Sequence, residues 1–358
     1  MKQGLTFDDV ALVPVFNNVE SRTEPCTVTN LTPNIKMDVP ILASNMDSVI
    51  GPDLAKVLVG AGSVPIFHRF TTFEQKVAWI KAFPSSFLSC GIRVGDVIEL
   101  EKLLEETQLV GVCFDIAHGH DMRLISTIAT LKNKYPELEI IAGNVCTADA
   151  YRDLVFAGAT AVKVGIGPGA ACTTRKVTGF GVPQFTAIQE IAAIKKKLLV
   201  PIIADGGIRG SADIVKALAA GADSVMLGKL FALTNESAAP KRGIPGLPGL
   251  PGLPGSVQLI PKRELYRWNG PYEAKYRGQA SADFQEDYFG ATKDGTVPEG
   301  EAFWASVSGP AIDLIQRLMA GLRSGMTYGG ARTIGELQRK AEFIQVTGNY
   351  EAESSPRP

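Results

Sequence analysis

Residues 161–176, AVKVGIGPGAACTTRK, join a short apolar run to a glycine-rich loop that carries Cys172. The run at 161–165 has the length and composition of a strand that is buried on both faces. Seven further runs have the same character: residues 40–44, 63–67, 87–90, 110–115, 139–143, 201–205 and 224–228. Amphipathic, helix-like segments lie between these runs, and this alternation is typical of a parallel α/β fold.

The number and spacing of the runs predict a closed barrel. Their first residues lie 22 to 40 positions apart, which is enough for one strand and one crossover helix. Eight such units favour a (β/α)8 barrel, the TIM-barrel fold, over a doubly wound sheet. Polar residues or glycines follow most of the runs, and the active sites of such barrels lie at the carboxyl ends of the strands. We therefore expect one catalytic domain over residues 1–358.

The composition excludes several classes of protein. The chain has 358 residues, of which 45% are hydrophobic, with 36 Lys and Arg against 37 Asp and Glu. It is therefore neither a disordered chain nor a protein that binds nucleic acid through bulk positive charge. Five scattered cysteines without a Cys-x-x-Cys pair argue against a disulfide framework or a thiolate zinc site. Because the chain has no apolar leader and no apolar run of roughly 18 residues, we expect a cytoplasmic protein outside the membrane.

The regular spacing breaks after the eighth strand, where residues 233–310 are rich in Gly, Pro and charged residues. We expect a long loop or flap insertion there. Its residues 243–255 form a Gly-x-Pro repeat, which is too short for a collagen triple helix and predicts a semi-rigid, polyproline-like extension. A helix over 311–321, a glycine-rich turn over 324–330 and an unstructured tail over 349–358 are expected to follow.

Cys172 is the candidate nucleophile. It lies in a polar loop beside Arg175 and Lys176, and cationic neighbours favour the thiolate form of a cysteine. A purely structural role is the alternative. That structural role is the better interpretation of the cysteines in or beside apolar strands, which are Cys90, Cys113 and Cys146.

The glycine-rich loop that carries Cys172 matches a Gly-x-Gly-x-x-Ala dinucleotide fingerprint at Gly165, Gly167 and Ala170. The fingerprint must open a helix, and residues 173–179 are poor helix formers, so we expect a mobile loop instead. Glycines at Gly165, Gly167 and Gly169 leave backbone groups free to bind a ligand or an ion.

Two glycine turns at strand ends predict a phosphate site. Gly206 and Gly207 follow the seventh strand and Gly228 follows the eighth, which is where barrels of this kind hold phosphate groups. Glycines that merely ease tight turns are the alternative. Asp205, directly before the pair, suits ribose hydroxyls, with a helix N-cap as its alternative role.

The segment Asp115-Ile-Ala-His118-Gly-His120 suggests a metal site at first sight. Only two imidazoles and one carboxylate occur there, and His68 follows a different strand. A carboxylate at Asp115 that binds the ribose of a cofactor is the more economical interpretation.

These segments together resemble the IMP dehydrogenase/GMP reductase family. The resemblance rests on GIGPGAACTTR, DIAHGH, ADGGIR and GLRSGMTYGGARTI, with LTFDDVALVP and SNMDSV in support, and it covers nearly the whole chain. It implies a (β/α)8 barrel that assembles as a homotetramer and acts on a purine nucleoside monophosphate. It also implies that a cysteine attacks purine C2 while hydride moves between C2 and a nicotinamide.

The resemblance assigns roles to individual positions. Cys172 resembles the nucleophile, and Thr174 with Glu299 resembles the pair that handles the attacking or leaving group. Contacts to the nucleotide are implied for Asn144, Asp205, Gly206, Gly207, Gly228, Lys229, Tyr276, Gly278 and Gln279. Cofactor contacts are implied for Asp115, Gly165 and Gly167. A monovalent cation, K⁺, is implied at Gly167, Gly169 and Cys172, with Glu353 supplied by a neighbouring subunit.

The chain also departs from the family pattern. Dehydrogenases typically carry a pair of regulatory CBS modules after the second strand, and here Phe67-His-Arg-Phe70 runs directly into Thr71, so no CBS modules are expected. Ala170 replaces a serine that contacts phosphate, and Lys229 replaces another and could supply charge instead.

The missing arginine of the flap bears on the direction of the reaction. Dehydrogenases activate water with an Arg-Tyr pair, but residues 279–296 hold Asp287-Tyr288-Phe289 and no arginine. We therefore prefer an NADPH-dependent reductase that converts GMP to IMP and ammonia through a Cys172 thioimidate. The alternative is an IMP dehydrogenase that uses NAD⁺, which CTTR, ADGGIR and the Glu353-Ser-Ser tail suit. The third is an inactive nucleotide-binding relative.

Overall fold

A computed structural model describes residues 1–243, 259–260, 271–292 and 295–354. Three short strands come first: β1 (Val10–Leu12), β2 (Thr29–Asn30) and β3 (Lys36–Met37). The eight strands of the main sheet are β4 (Ile41–Ala43), β5 (Ile66–Phe67), β6 (Phe87–Cys90), β7 (Gly111–Asp115), β8 (Glu139–Val145), β9 (Ala161–Val164), β10 (Ile202–Asp205) and β11 (Ser224–Leu227). They are parallel, in the order β4-β11-β10-β9-β8-β7-β6-β5.

This sheet curves into a nearly closed barrel, which confirms the predicted (β/α)8 fold. The Ser63 hydroxyl donates a 2.6 Å hydrogen bond to the carbonyl of Ile41 across the seam between β4 and β5. All eight predicted strands are present. Strand β5 begins at Ile66, later than the start of the predicted run at residue 63. Pro65 has no N–H to donate a hydrogen bond to a neighbouring strand.

One buried side chain from each strand fills the barrel interior: Leu42, Ile66, Phe87, Cys113, Ile141, Ala161, Ile203 and Met226. Leu31 and Met37, from the hairpin of β2 and β3, belong to the same cluster. Burial raises the pKa of Cys113 to about 12, so this thiol is packed as an apolar side chain.

Helices surround the barrel. In chain order they are α1 (Pro52–Gly60), α2 (Phe73–Ala82), α3 (Val94–Glu106), α4 (Met122–Lys134), α5 (Ala148–Ala157), α6 (Thr174–Thr178), α7 (Gln184–Leu198), α8 (Ser211–Ala219), α9 (Lys229–Ala232), α10 (Ala282–Phe289), α11 (Ala311–Tyr328), α12 (Ile334–Lys340) and α13 (Asn349–Ser354). Residues 68–72 connect β5 to α2. Among the described residues no helix is both long enough and apolar enough to cross a bilayer.

The insertion after β11 contains more regular structure than the sequence predicted. Strands β12 (Lys241–Gly243), β13 (Tyr272–Arg277) and β14 (Ala302–Ser306) form an antiparallel sheet, and α10 lies between the last two. The short strand β15 (Phe343–Gln345) pairs with β1. Residues 244–258, which include most of the predicted polyproline-like repeat, lie outside the described residues.

Two predictions for the C-terminal region are wrong. The helix expected to end at residue 321 continues through α11 to Tyr328, so most of the expected turn over 324–330 is helical. Its glycines are contact points: a Cβ at Gly325 would lie 2.5 Å from Val215 of α8. Small residues thus let two helices approach closely. The expected unstructured tail forms α13 over Asn349–Ser354.

His68 follows β5 and is 7% exposed, with its ring edge-on to Trp79. The Phe70 N–H donates to its Nδ1 at 3.1 Å. Burial lowers the pKa of His68 from 6.5 to about 4, against an opposing attraction from Asp47. As the pH falls, the imidazole of His68 binds a proton in the unfolded chain before it does so in the folded chain. The free energy of unfolding therefore decreases by about 3 kcal/mol as the pH falls from about 6.5 to about 4.

A His68→Phe variant keeps a ring beside Trp79 and removes the titrating group. Between neutral pH and about pH 4, we expect the free energy of unfolding of the variant to fall by about 3 kcal/mol less than that of the parent. Urea denaturation at the two pH values measures this difference. The same pH dependence in both proteins would contradict the assigned role of His68.

Candidate active site

The carboxyl ends of the barrel strands open into one cavity of about 1480 Å³. The residues singled out from the sequence that line it are Asp115, Asn144, Gly165, Gly167, Gly169, Cys172, Thr174, Asp205, Gly206, Gly207, Gly228, Lys229, Tyr276, Gly278, Gln279 and Glu299. Glu353 does not line this cavity and lies exposed on α13. The structure therefore brings together all of these candidate residues except Glu353.

The loop after β9 presents Cys172 to this cavity. Its Sγ lies 3.2 Å from the Thr174 hydroxyl, which places a polar group beside the thiol. The backbone N–H of Thr173 donates to the Glu299 carbonyl at 2.9 Å, and that of Glu301 donates to the Ala171 carbonyl at 2.9 Å. The segment that carries Glu299 is thus bonded directly to the cysteine loop.

The expectation that no helix follows Cys172 is wrong. Residues Thr174–Thr178 form α6, in which the Thr178 hydroxyl donates to the Thr174 carbonyl at 2.8 Å. Gly179, at φ +75°, ends the helix in a left-handed conformation. Tertiary contacts thus stabilise a turn of helix that the residue propensities alone do not favour.

Arg175, a cationic neighbour of Cys172 in the sequence, bonds to backbone carbonyls on both sides of the loop. Its Nε donates to the Ile166 carbonyl at 3.2 Å and its Nη2 donates to the Val182 carbonyl at 2.6 Å. Gly167, at φ +86°, leaves space for this side chain, since a Cβ there would lie 2.5 Å from the Arg175 Cγ. Arg175 therefore positions the backbone that leads to Cys172.

Gly206 and Gly207 have φ values of +92° and +79°, which only glycine adopts readily. A Cβ at Gly228 would lie 2.5 Å from the hydroxyl of Tyr276, so the absence of a side chain keeps this corner of the cavity open. Burial raises the pKa of Tyr276, which keeps its hydroxyl protonated. Lys229 is exposed beside this corner. Together these groups offer donors to an anionic ligand.

Two carboxylates, Asp115 and Asp205, lie on either side of Lys163, which the sequence analysis missed. Lys163 Nζ lies 2.6 Å from Asp115 Oδ1 and 3.2 Å from Asp205 Oδ2. Burial on its own lowers the pKa of Lys163, but the two carboxylates outweigh this effect and raise it. A lysine within a run of buried apolar strand residues requires a paired charge, and this signal was available in the sequence.

Asp205 does not cap a helix, because the N-cap residue of α8 is Gly210. Its Oδ2 accepts a 2.9 Å hydrogen bond from the side-chain amide of Asn144. The pKa of Asp115 is lowered, since the attraction of Lys163 outweighs the effect of burial. Both groups therefore present hydrogen-bond acceptors to the cavity.

Helix α10 lines the same cavity with aromatic side chains. The ring centroid of Phe70, on the loop after β5, lies 4.6 Å from that of Phe284 and 5.1 Å from that of Tyr288. Burial raises the pKa of Tyr288, and Glu99 adds to this effect. The aromatic contacts anchor α10 to the barrel.

Arg277, at the end of β13, adds ion pairs to this anchor. Its Nε donates to Asp47 Oδ2 at 3.1 Å and its Nη1 donates to Asp283 Oδ2 at 2.9 Å. Asp287 pairs with the same guanidinium. Asp287, directly before Tyr288, is thus engaged by Arg277.

In the part of the chain that the structure describes, the two histidines first considered as metal ligands, His118 and His120, are not part of a cluster that could hold a metal ion. The rings of His118 and His120 lie 6.5 Å apart, and His120 Nε2 lies 2.9 Å from Asp153 Oδ2. Across the described residues there is no cluster of three or more His, Cys, Asp and Glu side chains that could hold a metal ion.

Comparison with known proteins identifies the family. Residues 4–246 and 254–357 match the IMP dehydrogenase / GMP reductase domain. The chain belongs to this family. As a member of the IMP dehydrogenase/GMP reductase family, the protein is a purine nucleotide oxidoreductase.

Three family members show how far the similarity extends. Inosine-5'-monophosphate dehydrogenase of Borreliella burgdorferi is 36% identical over 408 residues, which covers 99% of this chain and 97% of that protein. The Cryptosporidium parvum enzyme of the same name is 34% identical, over 96% of this chain and 92% of that protein. The Chlorobaculum parvum enzyme of that name is 44% identical over 74% of this chain, but the match spans only 51% of its length.

Proposed function

We propose that the protein is an IMP dehydrogenase that converts IMP, NAD⁺ and water to XMP, NADH and a proton. The observation that supports it most directly is the Cys172 thiol at the cavity, 3.2 Å from the Thr174 hydroxyl and on a loop bonded to the Glu299 backbone. The relatives described above are all named inosine-5'-monophosphate dehydrogenase. These names favour the dehydrogenase over the GMP reductase that the sequence analysis preferred.

The cavity suits a nucleotide together with a nicotinamide cofactor. Its volume of about 1480 Å³ exceeds the roughly 300–1,000 Å³ of pockets for a single small ligand. Asp205 would accept hydrogen bonds from the ribose of the nucleotide, and Asp115 would do so for the cofactor. The phosphate would be bound by Gly206, Gly207, Gly228, Lys229 and Tyr276. The rest of the nucleotide site would consist of Asn144, Gly278 and Gln279. The cofactor site would also include Gly165 and Gly167.

The covalent step begins when the thiolate of Cys172 attacks C2 of the purine and forms a carbon–sulfur bond. Bound NAD⁺ supplies the acceptor for the hydride that leaves C2, and the nucleotide then remains as a thioimidate on Cys172. Water next adds to C2 and gives one proton to Glu299, the partner of Thr174 in the proposed pair. The carbon–sulfur bond then breaks, which releases XMP and the Cys172 thiolate.

GMP reductase, with NADPH as the reductant and IMP and ammonia as products, is the second candidate. The observation that favours it is the lack of arginine in residues 279–296, where Asp287 is paired with Arg277. Loss of help in activating water costs about 10²–10⁴-fold. A reductase needs no such help, because hydride consumes its thioimidate. Among the described residues, the guanidinium groups that line the cavity come from the barrel, at Arg69, Arg93 and Arg209 on loops and at Arg123 in the first turn of α4.

The absorbance of reduced nicotinamide distinguishes the two directions. We expect IMP with NAD⁺ to produce the reduced cofactor, and GMP with NADPH to show little consumption. Turnover with GMP and NADPH alone would overturn the proposal in favour of the reductase. Nucleotide binding without turnover in either direction would indicate an inactive relative.

The proposed function includes a K⁺ ion and a tetramer. Gly167, Gly169 and Cys172 would supply backbone carbonyls to the ion, and Glu353 would come from a neighbouring subunit. We expect turnover to be faster in K⁺ than in Li⁺ at equal ionic strength, and light scattering to give the mass of four chains. Equal rates in the two salts would contradict the cation site, and a monomer would contradict the shared Glu353.

A further inference from the structure

Lys163 has its three donors directed at three different side chains in the barrel interior. It is 1% exposed and lies on β9, which is flanked by β8 and β10. Its Nζ bonds to Asp115 Oδ1 at 2.6 Å, Asp205 Oδ2 at 3.2 Å and Asn45 Oδ1 at 3.3 Å. An ammonium group has three N–H donors, so this set uses all of them.

The same network orients the carboxylates toward the cavity. Asn45 donates to Asp115 Oδ2 at 3.0 Å, and Asn144 donates to Asp205 Oδ2 at 2.9 Å. Asp205 Oδ2 therefore takes two donors from the protein. Within the part of the chain that the structure describes, Asp205 Oδ1 accepts no hydrogen bond, which leaves it for a ligand.

We infer that Lys163 is a positioning residue that couples the binding of the nucleotide to the binding of the dinucleotide. The inference rests on the proposed function, in which Asp205 contacts the first ligand and Asp115 the second. Because one ammonium holds both carboxylates, a ligand that fixes either carboxylate also fixes the ammonium and the other carboxylate. The second ligand then has less of the network to order, so each ligand raises the affinity for the other.

Removal of the ammonium has a defined effect. Asp115 and Asp205 would remain in a buried site without their shared cation, which is costly for both. Each would reorient or take up a proton separately, and the link between the two ligand sites would be broken. A purely structural lysine would instead lower stability and leave the ratio of affinities unchanged.

The test is calorimetry in a Cys172→Ser background, which prevents turnover. Binding of IMP is measured with and without NAD⁺, and binding of GMP with and without NADPH. We expect the parent to show an affinity gain of about tenfold from the second ligand, and Lys163→Met to reduce that gain to nearly one. Lys163→Gln, with two N–H donors and no charge, replaces the Met variant if that protein does not fold, and is judged by the same ratio.

Lys195→Met is the matched control. Lys195 is also a largely buried lysine, 2.6 Å from Asp223, and it lies on α7 away from the cavity. Its loss should lower stability and leave the affinity gain at the parental level. The inference is overturned if the parent shows no gain, if the Lys163 variant keeps it, or if Lys195→Met loses it equally. A gain in affinity with GMP and NADPH instead of IMP and NAD⁺ would overturn the proposed direction of the reaction and support the coupling. If neither pair binds, the proposed function and the inference about Lys163 are both overturned.

Discussion

Cys172→Ser is expected to lose turnover by roughly 10⁴- to 10⁶-fold, the range seen when a catalytic nucleophile is removed. The hydroxyl of serine is a much weaker nucleophile than a thiolate, so the covalent bond to purine C2 would not form at a useful rate. Nucleotide affinity should stay within a few fold, because Asp205 and the glycine turns remain. Steady-state kinetics and calorimetry measure the two quantities.

Cys146→Ser is the matched control for this variant. Cys146 follows β8 at the same end of the barrel, is partly buried and does not line the cavity. Burial raises the pKa of its thiol, which makes it a poor nucleophile. We expect parental turnover from this variant. Turnover that survives in Cys172→Ser, or that is lost equally in both variants, would contradict the covalent route.

Glu299→Gln should lower kcat by about 10²–10⁴-fold and change KM much less, as expected for the loss of a general base. Glutamine keeps the size and polarity of the side chain and cannot take the proton from water. In a dehydrogenase the thioimidate on Cys172 should then accumulate during turnover. Mass spectrometry of the intact protein measures this adduct.

Glu301→Gln is the control, because Glu301 is exposed, lies two residues along the same segment and is also bonded to the cysteine loop through its backbone N–H. It should keep parental kcat. A kcat within a few fold of the parent in Glu299→Gln would exclude Glu299 as the base. A lower kcat without an adduct would indicate that Glu299 acts before the thioimidate forms.

Much of the site was predictable because the barrel repeats a simple rule. Apolar β-branched runs identify the strands, and the residues directly after them must meet at one end of a parallel barrel. The sequence alone therefore assigns Cys172, Asp205 and Asp115 to one end of the barrel. Glu353 is the exception, because it is proposed to act at the cysteine loop of a neighbouring subunit and not at that of its own chain.

The sequence by itself determined the (β/α)8 barrel, the end of the barrel at which the candidate site residues lie, and the family. Buried strands and glycine turns depend on local residue patterns, which can be seen in the sequence. Only the tertiary structure showed that α6 forms after Cys172 and that α11 continues through Gly325. It alone placed Lys163 between two carboxylates. These features arise from contacts between residues far apart in the chain, and such contacts override local propensity.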